Sequence, residues 1–429
     1  MAEANNDKAR KTIAVVGAGI SGMGAAHFLA AHHDVTLFEA ENRLGGHART
    51  IHAGIRGDQP VDTGFIVFNH ENYPNLRRLF ADLDVPTSKA DMSFSVSLNA
   101  GEFEYALKRD RPLNGILAQP ANVFRPKYLQ MLRDILRFNA HARAASADPS
   151  LTLEDLIGRL GLGPWMRDRF LVPFVGAIWS APGSAAVTFP AKTLVQFLDN
   201  HGLLTHKEHP QWYSVDGGSA IYVAKLASQI KRNGGTIRTG RAVDRIERKC
   251  KGVTLWCHGD EHHFDKVILA VHSDQAARIL ADPSEIEAAA LNAIAFRPNR
   301  VVLHSDASLM PRRRACWAAW NHVGATDAGP DDPVSVTYWM NALQTSIPQD
   351  DPTFVSLNPT QPIDPALVYD EHVFHHPTYS HSSLNARDQL ATLNGQRNTW
   401  YCGAWMGHGF HEDGIASALD VVRAITKGT

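Results

Sequence analysis

Short apolar runs and helix-periodic segments alternate from the start of the chain. Residues 13–16 and 35–38 are apolar runs of strand length, and the segment between them carries small and large apolar residues at helical spacing, as at Ala26 and Leu29. Two strands joined by one helix are typical of a parallel βαβ unit. The pattern therefore predicts such a unit within residues 11–70.

Beyond this unit the periodicity predicts a second set of elements. A helix is expected at 71–83 and a hairpin at 93–98 and 102–107, followed by a helical region from about 112 to 205. Further strands are expected, in chain order, at 236–248, 253–257, 263–271, 301–305, 334–340 and 353–357.

The length of 429 residues is too great for a single core, so two interleaved domains are expected. The first would be a Rossmann-like, nucleotide-binding domain made of residues 11–70, 210–290 and 396–429. The second would be an α+β substrate domain made of residues 71–209 and 291–395, with a helical part at 105–205. The predicted fold class is therefore α/β, with both domains discontinuous in the sequence.

Composition narrows the class of protein without indicating a reaction. Hydrophobic residues make up 44% and charged residues 20%, as in ordinary globular proteins, and a net charge of −2 gives no reason to expect nucleic acid as a partner. The four cysteines form no C-x-x-C pair and are expected to be buried and reduced. The 22 histidines show no metal-ligand spacing, so no metal site is expected.

The two ordinary targeting signals are not visible in the sequence. Residues 1–11 are polar and the first strand follows at once, which leaves no room for the apolar part of an export signal. No run of about 18 apolar residues predicts a membrane span. We therefore expect a cytoplasmic protein, and we leave peripheral contact with the inner membrane face open.

The turn after the first strand carries a phosphate-binding pattern. Gly17, Gly19 and Gly22 form G-x-G-x-x-G around Ile20 and Ser21, where the predicted helix begins. The first glycine permits the tight turn, the second lets the backbone approach a pyrophosphate, and the third lets the helix pack closely on the strand. The pyrophosphate then binds free N–H groups at the positive end of the helix dipole.

A carboxylate follows the second strand at the position that binds ribose. Glu39 lies about 20 residues beyond the glycine pattern, as in other dinucleotide-binding units. Its two oxygens can accept hydrogen bonds from both hydroxyls of an adenosine ribose. Together with the glycines, this residue predicts a dinucleotide site.

A Gly-Gly pair and arginines come directly after the second strand, where residues 39–50 read EAENRLGGHART. Here the chain resembles the superfamily of flavin-containing amine oxidases and phytoene desaturases, in which this run binds FAD. The resemblance implies FAD as the cofactor and an FAD domain of the glutathione-reductase type. It implies cofactor contacts from Ala40, Arg43, Gly45, Gly46 and His47. His47 stands where the superfamily often has a second arginine.

The resemblance extends over most of the chain. Segments 61–65, 217–246, 265–270 and 401–414 resemble the segment that passes the flavin, the unit that contacts adenine, the returning strand, and the C-terminal strand and helix. They imply further cofactor contacts from Gly64, Phe65, Val243, Gly403, Asp413 and Gly414. Amine oxidases carry an acid for the ribityl chain where this chain has Trp405, so Glu412 or Asp413 is expected to take over that contact.

Two absences count against an amine substrate. Segment 296–304 carries no lysine, although amine oxidases of the superfamily have one near the flavin, and no clear tyrosine pair accompanies the C-terminal flavin segment. Residues 170–179 form the most apolar run of the chain. This run is either helix core or the wall of an apolar tunnel, with Phe170, Phe174 and Trp179 as candidate substrate contacts.

Residues 105–143 combine basic and apolar positions. The segment holds eight basic residues against two acidic ones, interleaved with leucines, isoleucines and aromatic residues. One interpretation is a helix that lies on anionic lipid, where each basic residue near the surface contributes about 1 kcal/mol. The other interpretation is an ordinary solvated helix face.

Within the superfamily, the chain looks closest to a bacterial branch of amine-oxidase-like flavoproteins, through segments 61–69, 311–317 and 409–414. That branch is similar to desaturases of methyl-branched fatty acyl chains, the kind implicated in furan fatty acid formation. The resemblance implies an FAD-dependent oxidoreductase that removes a hydride from an acyl chain of membrane phospholipid, with His411 and Glu412 as candidate acid–base residues.

The alternatives are a flavin amine oxidase, a non-catalytic flavoprotein that scaffolds a lipid-modifying enzyme, and a redox-neutral lipid isomerase. The electron acceptor is left open.

Overall fold

Strands and helices alternate through the residues that the computed structural model describes, which are 10–108, 112–204 and 210–427. The strands are β1 (Thr12–Val16), β2 (Asp34–Phe38), β3 (Thr50–Ala53), β4 (Gln59–Asp62), β5 (Phe68–Asn69), β6 (Thr87–Ala90), β7 (Phe94–Leu98), β8 (Phe103–Leu107), β9 (Trp212–Val215), β10 (Thr236–Arg238), β11 (Val243–Lys249), β12 (Gly252–Cys257), β13 (Asp260–Phe264), β14 (Lys266–Leu269), β15 (Phe296–His304), β16 (Trp320–Gly324), β17 (Val336–Trp339), β18 (Phe354–Leu357), β19 (Val368–Pro377) and β20 (Thr399–Tyr401). The helices are α1 (Ile20–Ala30), α2 (Pro74–Asp82), α3 (Pro112–Ile116), α4 (Pro126–Ala145), α5 (Leu153–Leu160), α6 (Pro164–Met166), α7 (Val172–Trp179), α8 (Gly183–Val187), α9 (Ala191–Asn200), α10 (Ala220–Arg232), α11 (Ser273–Ile279), α12 (Glu285–Asn292), α13 (Met340–Leu343), α14 (His381–Leu393) and α15 (His411–Lys427).

A five-stranded parallel sheet organises the nucleotide-binding part, with the strand order β10-β2-β1-β14-β20. Its central strand β1 is apolar and buried from Ile13 to Val16, as a strand covered on both faces must be. Along the chain, β1 is followed in this sheet by β2 and β10 on one side and then by β14 and β20 on the other, which opens a crevice at the carboxyl ends of β1 and β14. The predicted α/β class with a Rossmann-like unit is confirmed.

Helix α1 is enclosed on nearly all sides, which explains its uniformly small or apolar sequence. Met23, Ala25, Ala26 and Leu29 are at most 1% exposed. A Cβ atom on Gly24 would lie 2.5 Å from Cδ1 of Ile415, so α15 packs directly on α1. The C-terminal helix is thereby fixed against the N-terminal nucleotide unit.

A seven-stranded sheet forms the second large layer, in the order β19-β15-β18-β17-β16-β7-β8. The predicted hairpin is present as β7 and β8, which pair in antiparallel register from Phe94–Leu107 to Leu98–Phe103. The strands expected near 301, 334 and 353 coincide with β15, β17 and β18. Helices α3 to α9 occupy the predicted helical region and cover one part of this sheet. The domain boundaries themselves stay a prediction.

Two predicted strands are each divided in the structure. The strand expected at 236–248 becomes β10 in the parallel sheet and β11 in a separate antiparallel sheet, because the chain turns at Gly240, whose φ is +62°. The strand expected at 263–271 is likewise shared between β13 and β14. Hydrophobic periodicity does not reveal such a change of sheet, since both halves have strand character.

The structure also bears on the cysteines, on metal binding and on membrane-spanning helices. Cys257, Cys316 and Cys402 are buried, but Cys250 is exposed, which corrects the expectation for that residue. Over the described ranges, no group of three or more His, Cys, Asp or Glu side chains is placed to hold a metal ion. Among the helices of those same ranges, none has both the length and the apolar character that crossing a membrane requires.

Candidate active site

The predicted cofactor residues gather where the strands of the parallel sheet end. Gly17 follows β1, Glu39 follows β2, and Gly403 lies two residues beyond β20; His272, which was not predicted, lies three residues beyond β14. All four line one cavity of about 1730 Å³. Single ligand pockets usually measure about 300–1,000 Å³, so this cavity has room for a dinucleotide and a substrate together.

The three glycines each have the geometry that their predicted role requires. Gly17 has φ +100°, and Cβ atoms on Gly17 and Gly22 would lie 2.8 Å from the oxygen of Ala270 and 1.8 Å from that of Gly17. A Cβ atom on Gly19, by contrast, would meet nothing within 4 Å and would point into open space. Since Gly19 lines the cavity at the N-terminus of α1, the space above it fits a pyrophosphate.

Glu39 is held in place by backbone N–H groups. Its Oε2 accepts a hydrogen bond of 2.7 Å from the amide of Ala18, and its Oε1 accepts one of 2.9 Å from Glu41. Burial raises the pKa of this carboxyl, while the two backbone hydrogen bonds oppose that shift. The remaining lone pairs are available to ribose hydroxyls, and Ala40 and Val243 line the same end of the cavity.

The Gly-Gly loop packs against the glycine-rich turn. Gly45 donates its N–H to the oxygen of Ala18 over 2.9 Å, and a Cβ atom on Gly46 would lie 3.1 Å from Cα of Gly19. The guanidinium of Arg43 donates to the oxygen of Gly46 over 2.8 Å and lines the cavity. The loop therefore brings a cation and the backbone amide of Gly46 next to the predicted phosphate site.

His47 belongs to a group of aromatic rings on the cavity wall. Its ring stacks on Phe374 with centroids 4.7 Å apart, and the rings of His376 and His272 lie 5.4 Å and 6.0 Å away. Its carbonyl oxygen accepts the N–H of Phe65 over 2.9 Å. Burial, followed by the neighbouring histidines, holds the pKa of His47 well below its usual value. A neutral ring here cannot supply the charge of the arginine that the superfamily often has.

His411, the first residue of α15, is fixed between two aromatic side chains. Its ring stacks on Phe65 with centroids 3.7 Å apart, and its Nε2 lies 3.0 Å from the hydroxyl of Tyr222. Burial lowers the pKa of His411 to about 3, so the ring is neutral at physiological pH. Gly64 and Phe65 line the cavity beside it.

The residues that follow His411 do not face the cavity. The carboxylate of Glu412 accepts hydrogen bonds from the amides of Asn75 and Leu76 at the start of α2. Asp413 accepts the N–H of Phe410 over 2.9 Å. Neither acid lines the cavity, which corrects the expectation that one of them replaces the ribityl-binding acid.

Gly22 and Gly414 act through packing, since neither lines the cavity. A Cβ atom on Gly414 would lie 2.9 Å from Oγ of Ser21, so this glycine lets α15 approach α1. Trp405 is buried, and its indole N–H donates to the oxygen of Val271 over 3.0 Å. The tryptophan thus joins the C-terminal segment to the loop after β14.

The three predicted substrate residues lie on the cavity wall and also belong to the helical core. Phe170 and Phe174 stack with centroids 5.4 Å apart, and Trp179 donates its indole N–H to the oxygen of His408 over 3.0 Å. Val175 and Ala177 of the same helix are buried in the core and do not line the cavity. The run therefore contributes both to the helical core and to the cavity wall.

The cavity reaches the surface at helices α3 and α4. Ile116, Leu132 and Leu136 line it, and Leu136 is 56% exposed. We call the surrounding surface the α3–α4 face; its exposed residues are Leu113, Leu117, Val123, Phe124, Leu129, Leu136, Arg133 and Arg137. Arg109, Asp110 and Arg111, which contributed to the predicted basic segment, lie outside the described residues.

Several cavity residues carry no local sequence signal. Ser180 and His376 are hydrogen-bonded to each other across the wall, although 196 positions separate them. Tyr379 and Trp320 also line the cavity, and in the described part of the chain the enclosed hydroxyl of the one and indole N–H of the other lack a hydrogen-bonding partner. Only the folded chain brings these residues together.

Comparisons with known proteins agree with this arrangement. A sequence model of the family described as flavin containing amine oxidoreductase matches residues 20–312. An uncharacterised protein of Methanocaldococcus jannaschii is 24% identical over 273 residues, which are 62% of this chain and 60% of that protein. The chain therefore spans about 60% of the length of this curated relative.

Solved structures share the fold over almost the whole chain. A fatty acid isomerase of P. acnes that produces CLA superposes with a TM-score of 0.69 at 16% identity, covering 98% of this chain and 99% of that one. A putrescine oxidase variant gives a TM-score of 0.72 at 14% identity, with coverage of 98% and 99%. A putative protoporphyrinogen oxidase of Exiguobacterium sp. 255-15 gives 0.69 at 15% identity, with coverage of 98% and 100%. At these identities the likeness establishes the fold.

Proposed function

Because the chain belongs to the family of flavin-containing amine oxidoreductases, we infer that it is an FAD-dependent oxidoreductase, and we propose that its substrate is a fatty acyl chain of membrane phospholipid. A methyl-branched chain is the substrate class that the sequence resemblance suggests. When bound, FAD supplies the acceptor for a hydride. The protein contributes the site that holds the cofactor and the cavity that presents one C–H bond to it.

The chemistry of the cavity wall supports an apolar substrate. Beyond the nucleotide end, the wall is formed mainly by Phe94, Ile135, Phe138, Phe170, Phe174, Ile178, Trp179, Phe197 and Leu198. Asp91 is the carboxylate that lines this part of the cavity in the described residues. An ammonium group would lose its hydration there with one acid to compensate, whereas an acyl chain gains about 0.8 kcal/mol per buried CH₂.

The single observation that carries the proposal is the position of the opening. Leu136 lies both on the cavity wall and on the α3–α4 face, so an acyl chain could pass from a bilayer into the cavity without crossing water. Phe124 in this face is 85% exposed. Arg133 lies on the same side of α4 as Leu129 and Leu136, four and three residues away, and has no ion-pair partner among the described residues. Exposed apolar side chains bordered by cations are typical of a surface that docks on anionic lipid.

We expect Phe124→Asp to weaken binding to anionic vesicles about tenfold, because a buried phenyl ring contributes roughly 1.5–3 kcal/mol and the new charge is repelled. Sedimentation with vesicles of phosphatidylglycerol and phosphatidylcholine measures the effect. The matched control is Ile286→Asp, which alters an apolar side chain that is 58% exposed on α12. Equal binding by both variants and the unchanged protein would contradict docking through the α3–α4 face.

Anaerobic absorbance of the FAD-loaded protein tests the substrate class. We expect phospholipid vesicles with methyl-branched, monounsaturated chains to remove the flavin band, and a panel of amines to leave it intact. Loss of the band with amines alone would contradict an acyl substrate and indicate that the protein oxidises amines. The chain shares its fold with a putrescine oxidase. No loss with either would favour the non-catalytic scaffold.

The roles of individual side chains follow from their positions. Gly19, Glu39 and Arg43 would hold the dinucleotide, and His411 with Phe65 would support the ring system. The acid–base role predicted for His411 stays a prediction. The carboxylate of Glu412 instead holds the start of α2.

A further inference from the structure

Two side chains that no local sequence signal pairs are joined across the cavity wall. Nδ1 of His376, at the end of β19, lies 2.9 Å from Oγ of Ser180, directly after α7. Both residues line the cavity. The contact therefore connects the edge of the seven-stranded sheet to the end of the helix that carries the predicted substrate residues.

Ser180 is held in an unusual backbone conformation. Its φ and ψ are 56° and 27°, in the left-handed region that residues other than glycine seldom adopt. Its N–H donates to the oxygen of Gly176 over 2.8 Å. Such a conformation costs of order 1–3 kcal/mol and persists where the surrounding structure imposes it. Here it turns the hydroxyl from the end of α7 toward His376.

The second nitrogen of His376 is not fully enclosed, and the residue lines the cavity. In the described part of the chain, Ser180 is the one hydrogen-bonding partner of this ring, and Nε2 is not among the enclosed nitrogens. Burial, followed by His272 and His375, lowers the pKa of His376 to about 4. The ring is therefore neutral at physiological pH, with one nitrogen available to a ligand.

We propose that Nε2 of His376 accepts the proton that the substrate loses during oxidation, while Ser180 positions the ring by accepting the hydrogen bond of Nδ1–H. This proposal rests on the proposed function. When bound, FAD would supply the oxidant and accept the hydrogen and both electrons of one C–H bond of the acyl chain. The adjacent C–H bond gives its proton to Nε2, and its electron pair forms the C=C bond.

Other polar groups near the cavity are less suited to this role. Nε2 of His411 is engaged by Tyr222, and its ring is stacked on Phe65. Asp91 already accepts the hydroxyl hydrogen of Ser93 over 2.6 Å. His47 and His272 face His376, but the ring of His272 is itself stacked on Phe296 with centroids 4.2 Å apart.

Anaerobic rapid mixing tests the catalytic part. With the vesicles that remove the flavin band of the unchanged protein, we expect His376→Gln to slow that loss about 100-fold or more at unchanged FAD affinity, since a general base typically contributes 10²–10⁴-fold. Ser180→Ala and Ser180→Gly should both slow it by a smaller and similar factor. Glycine relieves the backbone strain and alanine does not, so equal slowing assigns the effect to the hydroxyl. The control on the same strand is Glu371→Gln, which alters an exposed ion pair with Arg300.

Nitrogen NMR of histidine-labelled, FAD-loaded protein gives a readout that needs no substrate. We expect the His376 signals, assigned with His376→Gln, to show a proton on Nδ1 and none on Nε2, and to change in Ser180→Ala. A ring protonated on Nε2 would overturn the assignment whether or not lipid reacts. Unchanged rates in His376→Gln with a lower melting temperature would make the pair structural. If vesicles leave the unchanged protein's flavin band intact, the proposed function fails, while the NMR result still decides the state of the ring.

Discussion

Gly19→Val is expected to lower the affinity for FAD by at least about 100-fold while leaving the chain folded. The reason is the contrast among the three glycines: space is open above Gly19, whereas Cβ atoms on Gly17 and Gly22 would strike backbone atoms. Gly19 has φ −74° and ψ −176°, which any residue adopts, so valine adds no backbone strain. Its side chain would occupy the position of the pyrophosphate and keep it from the N–H groups of α1.

Fluorescence titration of the FAD-free protein with FAD measures this affinity, and thermal unfolding without FAD measures stability. Loss of glycine at a helix N-cap should cost at most about 1 kcal/mol. Gly158→Val is the matched control, because a Cβ atom on Gly158 also meets nothing within 4 Å but points away from the cavity. Tight FAD binding by Gly19→Val would place the pyrophosphate elsewhere.

Arg248→Met is expected to destabilise the chain by about 3–5 kcal/mol, because it leaves a buried carboxylate without its cation. The Arg248 side chain is fully buried and donates to both oxygens of Glu287 over 2.6 Å and 3.0 Å. Tyr401 donates to the same carboxylate over 2.8 Å. Denaturant unfolding measures the loss, and the double variant Arg248→Met/Glu287→Leu should recover much of it, since an apolar pair leaves no charge unpaired.

The same pair predicts how stability depends on pH. Burial alone would raise the pKa of Glu287, but hydrogen bonds from Arg248, Ser284 and Tyr401 outweigh it and lower the pKa to about 2. Since the folded pKa lies below the unfolded value, this contribution is present above about pH 4.5 and is lost as the pH falls toward 2. Glu287→Gln should flatten the acid limb of the stability curve, whereas Glu285→Gln, an exposed acid on the same helix, should not. Identical acid limbs would contradict the assignment.

The nucleotide unit could be predicted from the sequence because the residues that define it lie close together in the chain. The glycines, the helix and Glu39 lie within 30 residues, and each has a conformational or chemical reason that is visible in its own segment. The same holds for the hairpin β7–β8, whose alternation matches the pleat. The strand β19 was not predicted, because its sequence VYDEHVFHHP mixes acids and histidines. This segment forms a strand because it pairs with β15 in antiparallel register over almost its whole length. Such pairing is a tertiary contact, which local sequence does not reveal.

The cavity wall was only partly predictable for the same reason. The apolar run at 170–179 predicted a hydrophobic segment. No local signal, however, distinguishes Phe174, which lies on the cavity wall, from Val175, which is buried in the helical core. Trp405 suggested that another acid serves the ribityl chain, yet Glu412 binds the start of α2 instead. The pair Ser180–His376 depends on two segments that meet only after the sheet and the helices have packed.

The strand order of the parallel sheet has a consequence for how the protein is made. Neighbours in that sheet come from residues 12–38, 236–238, 266–269 and 399–401, and the last helix rests on the first. A chain growing on the ribosome therefore lacks one wall of the nucleotide site until β20 and α15 have emerged. Contacts between such distant segments also form slowly. We expect cofactor loading to wait for the synthesis of β20 and α15, so that the apolar faces of the β1–α1–β2 segment stay uncovered until these later partners appear.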